Sequence, residues 1–218
     1  MSVLQKIRSY KNNLNNNRWF YSMVRSQFRK LLKNEITVLE IGTAFGDSST
    51  KSLYRNLKSS GKKFRLIGYE PMDICYNKAK NNWNGVEEVR LEKKYFLTKN
   101  AIVFFREAII LEELEPDLKQ DVLKNMELNS EMLIKDFFYK PDFIFIDSIR
   151  YSHLAIIKSI VDLGLHKNAT IIMEDDIPGF GEIAIIQKHF RLENISKHRC
   201  YPHQWPFVTY KIVQQILN

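Results

Sequence analysis

From Ile36 onward, short apolar runs alternate with stretches of helical length. The runs ITVLEIG (36–42), FRLIGYE (64–70), a weaker one near 86–91, DFIFID (142–147) and ATIIME (169–174) have strand length, and their near-continuous apolar character suits strands covered on both faces. Between them the spacing predicts helices at about 48–58, 73–82, 152–163 and 180–190. Such alternation implies an α/β fold with a parallel sheet and helices on both faces, and ligands then bind beyond the carboxyl ends of the strands. Near the end, VTYKIV alternates in side-chain facing after the two-proline loop HRCYPHQWPF, the pattern of a final antiparallel hairpin.

Two segments stand outside this alternation. Residues 1–34 precede the first strand: the asparagine-rich break at 12–17 leads into Arg18 to Lys33, where Phe20, Met23, Val24, Gln27, Phe28 and Leu31 recur at nearly helical spacing. This predicts an amphipathic helix with a basic outer face that packs on the core. Residues 98–140 separate the third and fourth strands with acidic, helix-prone sequence such as REAIILEELEPDLKQDVLKNMELN, which predicts an inserted helical element or lid.

The densest chemical signal is VLEIGTAFGDSST, Val38 to Thr50. A buried strand ends in Glu40 and Ile41, Gly42 and Gly46 allow a sharp turn and close approach to a ligand, and Ser48 or Ser49 is placed to cap the next helix. Thr43, Ala44 and Phe45 fill the positions where a dinucleotide fingerprint would need another glycine, so the spacing argues for a ligand without a pyrophosphate. The second strand then delivers Glu70, 28 positions after Gly42. A carboxylate there is placed to accept both hydroxyls of a ribose.

The series EIGTAFGDSS, GYEP, PDFIFIDS and TIIMEDD resembles the class I S-adenosylmethionine-dependent methyltransferases, in particular their small O-methyltransferase-like branch, over about residues 36–190. The resemblance implies a Rossmann-like, doubly wound, seven-stranded and mostly parallel sheet in three α/β/α layers, closed by a C-terminal antiparallel hairpin. It implies a methyltransferase domain over 35–218, and for the helix before it a cap on the substrate side or a homodimer contact. The cofactor would be S-adenosylmethionine, held by Glu40, Gly42, Thr43, Gly46, Ser48, Glu70 and Asp147. A sulfonium cation suits a carboxylate-flanked loop better than an anion-binding nest does. The 98–140 segment is longer than relatives commonly carry, and no residue for the adenine can be assigned.

The last two parallel strands deliver Asp147 and then Glu174, Asp175 and Asp176 toward one pocket. Carboxylates gathered in this way repel one another unless a cation or shared proton compensates, and oxygen-only ligands favour magnesium, calcium or manganese. In metal-dependent relatives the ion orients an acceptor hydroxyl and lowers its pKa, and Asp147, Asp175 and Asp176 match its ligands. The same carboxylates are equally suited to capping helices. Where relatives often read I-D-G-x-H-x-Y, this chain reads IDSIRYSH, so that Ser148 and Arg150 replace the glycine and histidine. His153 is then a candidate general base or a helix cap, Asp147 would orient or deprotonate the acceptor, and Arg150, Tyr151 and the loop from His198 to Trp205 would contact it.

Composition narrows the setting. A chain of 218 residues with 44% hydrophobic and 27% charged residues suits one globular domain. No apolar run has the length of a membrane span, the N-terminus lacks a secretory apolar core, and two cysteines make no disulfide framework, so a cytoplasmic location is expected. The net charge of +8 invites a polyanion, but the basic clusters at Arg25, Arg29, Lys30, Lys33 and at Lys58, Lys62, Lys63, Arg65 are not interleaved with stacking aromatics. A small-molecule acceptor is therefore expected. An RNA methyltransferase, a hydroxylase-like relative and a non-catalytic member of the fold stay open.

Overall fold

The computed structural model describes Arg25, Phe28, Arg29 and residues 31–111, 130–148, 152–174, 182–197 and 207–215. In chain order they form β1 (Glu35–Ile41), α1 (Ser49–Ser59), β2 (Lys63–Tyr69), α2 (Asp73–Asn82), β3 (Val89–Glu92), α3 (Ile102–Leu111), β4 (Phe143–Ile146), α4 (His153–Asp162), β5 (Thr170–Glu174), α5 (Glu182–His189), β6 (Phe190–Lys197) and β7 (Phe207–Gln215). The strands lie in the order β3-β2-β1-β4-β5-β7-β6. The expected parallel α/β sheet is present in five strands, β1 to β5. β7 pairs antiparallel with β5 and with β6. β6 overlaps the end of the helix expected at 180–190, because its sequence FRLENISK carries too few consecutive apolar residues to announce a strand. At the far edge of the sheet, that polarity suits a strand that need not be covered on both faces.

Period-two alternation divides the sheet between two apolar layers. Leu39 and Ile41, Ile67 and Tyr69, Ile144 and Ile146, Ile171 and Met173 face one layer, where Ala101 and Phe105 and the α4 residues Leu154, Ala155, Ile156, Ile157 and Ile160 cover them. Ile36 and Val38, Phe64 and Leu66, Phe143 and Phe145, with Ile172, face the other, under Leu53 and Leu57 of α1 and Phe28. Phe28 is 1% exposed and meets Phe143 edge to face at 5.0 Å, so it contributes to the core; the rest of the helix expected before β1 lies mostly outside the described residues. The result is a three-layer α/β/α arrangement in which both faces of β1 and β4 are dry.

A polar fastening closes the opposite end of the sheet. The Asp142 carboxylate accepts the Thr37 backbone N–H at 2.9 Å and the Lys33 ammonium at 2.5 Å. Its own backbone donates to Thr37 at 2.8 Å and accepts from Thr170 at 3.0 Å, tying β1, β4 and β5 at their starts. Asp142 is 7% exposed while the Lys33 side chain is 64% exposed, so the two partners have unequal weight. Asp142→Ala strands a backbone donor and should cost about 1–3 kcal/mol in urea denaturation. Lys33→Ala should cost less than about 1 kcal/mol, as exposed ion pairs do. Equal losses would contradict this assignment.

Candidate functional site

After β1 the chain builds β2 and β3 to one side, then crosses back to build β4 and β5 on the other. The crevice in such a sheet lies where the order reverses, here between the ends of β1 and β4. Gly42 and Asp147 meet at that point. The Asp147 N–H donates to Ile41 O at 2.8 Å, and a Cβ added at Gly42 would stand 2.2 Å from the Asp147 carbonyl oxygen and 3.0 Å from Ser148 Cα. Gly42 also holds φ at +93°, where a side chain is strained. The glycine is thus required first by the backbone of β4.

Glu70 follows β2 and is 6% exposed. Its carboxylate accepts the Ala44 N–H at 2.7 Å and the Met72 N–H at 3.0 Å, so the acid and the glycine loop form one unit. Gly42 and Thr43 donate to Tyr69 O at 3.0 and 3.3 Å, and Gly46 donates to Thr43 O at 2.9 Å. With these amides engaged inside the protein, the loop is a poor cradle for phosphate, in keeping with the missing third glycine. A carboxylate has about four lone-pair sites, the acceptor chemistry that suits a diol. Tyr95, beyond β3, has its pKa raised by burial and then by the Glu70 charge. Tyr69 is pushed up to about 12, by burial and then by the charge of Glu92.

Beneath the loop the interior is polar. Glu40 is 0% exposed and lies on the face of β1 that carries Ile36 and Val38. Its register partner on β2 is Gly68, and a Cβ at Gly68 would run into the Thr43 methyl group at 2.4 Å. Thr43, Ser48, Ser49 and Thr50 are all 0% exposed, and their hydroxyl oxygens have no hydrogen-bond partner among the described residues. Ser48 is the N-cap position of α1 yet makes no side-chain cap bond. α1 therefore buries Ser49, Thr50, Ser52 and Asn56 beside Leu53 and Leu57, so its inner face is polar toward the crevice. Buried hydroxyls without partners are costly, which makes this place a candidate site for a polar ligand group. The motif carries this signal in the run Ser48, Ser49, Thr50: Ser48 is expected as a cofactor contact and a cap, Ser49 only as a cap, and Thr50 has no expected role.

Asp147 is partly buried at the end of β4. His153, the candidate base, is 0% exposed in the first turn of α4. Its Nε2–H donates to the Ser148 carbonyl at 3.3 Å, and Ser148 and Ser152 share a hydroxyl hydrogen bond at 2.8 Å. That geometry sets the imidazole against the Asp147–Ser148 turn. Arg150, Tyr151, Asp175, Asp176 and the loop from His198 to Trp205 lie outside the described residues; of the three expected metal ligands, only Asp147 is described. Among the described residues no group of three or more His, Cys, Asp or Glu side chains is placed to hold a metal, and no helix is long and apolar enough to cross a membrane.

Sequence reasoning missed the outer side of the loop. Trp83 Nε1–H donates to Gly46 O at 2.7 Å and Asn82 Nδ2–H donates to Phe45 O at 2.8 Å. A Cβ at Gly46, whose φ is +67°, would fall 2.7 Å from Trp83 Nε1. An indole thus requires the second glycine, whatever ligand the loop receives.

No protein-family model matches the chain, and no curated protein matches its sequence. Solved structures do match its fold. A SAM-dependent methyltransferase from Aquifex aeolicus aligns with 98% of this chain and 100% of its own, at a TM-score of 0.53 and 16% identity. The ribosomal protein L11 methylase from Lactobacillus delbrueckii subsp. bulgaricus aligns with 91% of this chain and 79% of its own, with a TM-score of 0.53 and 14% identity. Magnesium protoporphyrin IX methyltransferase from Synechocystis PCC 6803, solved with bound SAM, covers 97% of this chain and 84% of its own at TM-score 0.50 and 11% identity. The fold is that of the class I S-adenosylmethionine-dependent methyltransferases.

The contact between β1 and β4 yields a direct expectation. Gly42→Ala combines a forbidden φ with a backbone clash, and should lower stability by at least about 1–3 kcal/mol in urea denaturation. Gly61→Ala, also at positive φ but with nothing near its added Cβ, should cost only the conformational part, about 1 kcal/mol. Equal losses would show that the crevice is looser than described.

Proposed function

We propose that this protein is an S-adenosylmethionine-dependent methyltransferase that transfers the methyl group to an oxygen of a small-molecule acceptor. The observation that carries the reading is the Glu70 carboxylate, fastened to the Ala44 amide at 2.7 Å beside the reversal of strand order. Glu70 would receive the ribose hydroxyls. Glu40 would face the cationic methionine end, where Thr43, Ser48 and Ser49 offer hydroxyls. Gly42 and Gly46 set the loop, and Asp147 closes the crevice. Bound S-adenosylmethionine supplies an activated methyl group on sulfur.

The remaining work falls to the chain. Holding two reactants aligned removes most of the entropy cost of their encounter, worth up to roughly 7–11 kcal/mol. Asp147, at the end of β4 and next to Gly42, would accept the acceptor's hydroxyl proton or hold that hydroxyl in line. His153 and Ser152 would keep its turn in place from below. Arg150 and Tyr151, next along the chain, are the proposed acceptor contacts, with Arg150 suited to a carboxylate or phosphate. Asp175 and Asp176, with Asp147, are the residues that would hold magnesium and thereby lower the hydroxyl pKa. A small acceptor is favoured over RNA because two members of one basic cluster are engaged within the fold. Lys58 pairs with Glu88 at 2.9 Å, and the Arg65 guanidinium lies over the Tyr139 ring at 5.1 Å.

Calorimetric titration with S-adenosylmethionine is the test. Wild-type protein should bind; Glu70→Ala should weaken binding at least tenfold, about 1.4 kcal/mol, as expected for loss of a charged acceptor. Asp147→Ala should still bind. Absence of binding by folded wild-type protein would overturn the reading.

A further inference from the structure

The end of α2 grips the glycine loop from the side away from the sheet. Trp83 and Asn82 donate to two consecutive loop carbonyls, those of Gly46 and Phe45, across 37 positions of sequence in each case. The Lys78 ammonium, also on α2, lies 4.8 Å from the centre of the Phe45 ring. Trp83 is itself fixed from two directions. Its backbone N–H donates to Ala79 O at 3.0 Å, which makes it the C-terminal cap of α2. Its ring meets Tyr54 of α1 at 5.0 Å. One indole thus joins α1, α2 and the loop.

In a trans peptide the C=O and the following N–H point in opposite directions. Pulling the Phe45 carbonyl toward Asn82 turns the Gly46 N–H inward, where it meets Thr43 O at 2.9 Å. Pulling the Gly46 carbonyl toward Trp83 likewise turns the Asp47 N–H away from α2. A tryptophan has only one donor, and here it is used on this carbonyl. A loop carrying two glycines at positive φ has many other conformations to visit. These two bonds select one.

We infer that Trp83 and Asn82 are positioning residues, a clamp that holds the Gly42–Gly46 loop in the shape that receives the methyl donor. The inference rests on the function proposed above. The clamp acts before the ligand arrives, by keeping the competent conformation populated. Apparent affinity falls in proportion to that population, so a clamp that keeps the loop mostly competent is worth about tenfold if its loss leaves a tenth of molecules in that shape. The aromatic packing of Trp83 is a separate contribution, and Phe can retain it.

The test measures affinity for S-adenosylhomocysteine and thermal stability together, on wild type, Trp83→Phe and Asn82→Ala. The clamp predicts affinity about tenfold weaker in Trp83→Phe and weaker in Asn82→Ala, with melting temperatures close to wild type, because the loss is in loop population. It also predicts that the Trp83 indole proton resonance, identified by its loss in Trp83→Phe, exchanges slowly with solvent in the free protein. Should Trp83→Phe fail to fold, Asn82→Ala decides on its own. Unchanged affinity in the folded variants, or a loss of affinity that only tracks a lowered melting temperature, overturns the clamp and leaves the methyltransferase reading standing. Absence of binding by the wild type overturns both.

Discussion

The close passage of β1 against β4 is the constraint on which the rest of the site depends. The end of one central strand runs so near the carbonyl of Asp147 that the facing residue has no room for a single carbon. This contact puts the loop after β1, the acid after β2 and the acid after β4 around one crevice. It is made possible by the dry faces on both sides of β1 and β4, which let the two strands pair in register from Val38–Phe143 to Ile41–Ile146. Burial drives the strands together. Glycine decides how closely their ends approach.

Around that contact, polar groups are placed in the interior at evident cost. Glu40, His153 and the hydroxyl residues Ser48, Ser49, Thr50 and Ser52 are all fully buried. A domain optimised for stability alone would fill such positions with apolar side chains, since a buried polar group costs free energy unless its hydrogen bonds are made. Their concentration at the carboxyl end of the sheet, while the lower layers are apolar, makes that end the candidate site. The fastening at Asp142 lies at the other end. Stability and function thus occupy opposite edges of the same strands.

Much of this was legible in the sequence because periodicity and motif agreed. The apolar runs at 36–42, 64–70, 142–147 and 169–174 announce central parallel strands, and the order Gly42, Gly46, Glu70 announces a loop and an acid that the fold joins through the Ala44 amide. What escaped was long-range. Nothing in the run Asn82-Trp83 says that its side chains reach Phe45 and Gly46, because hydrogen bonds between a helix end and a distant loop have no local pattern. For the same reason the indole beside Gly46 has no signal in the sequence. His153 was legible as chemistry and not as placement: only the three-dimensional fold shows the imidazole set against the Ser148 carbonyl, out of solvent. β6 was weak because an outer strand carries polar residues and loses the apolar run by which central strands are recognised.

The most direct measurement is a crystal structure of the protein with S-adenosylhomocysteine. The account predicts the ribose hydroxyls within hydrogen-bond distance of Glu70, the amino-acid end over Glu40 and the buried serines, and the sulfur at the crevice between Gly42 and Asp147. A ligand seated elsewhere, or with its ribose away from Glu70, would contradict it.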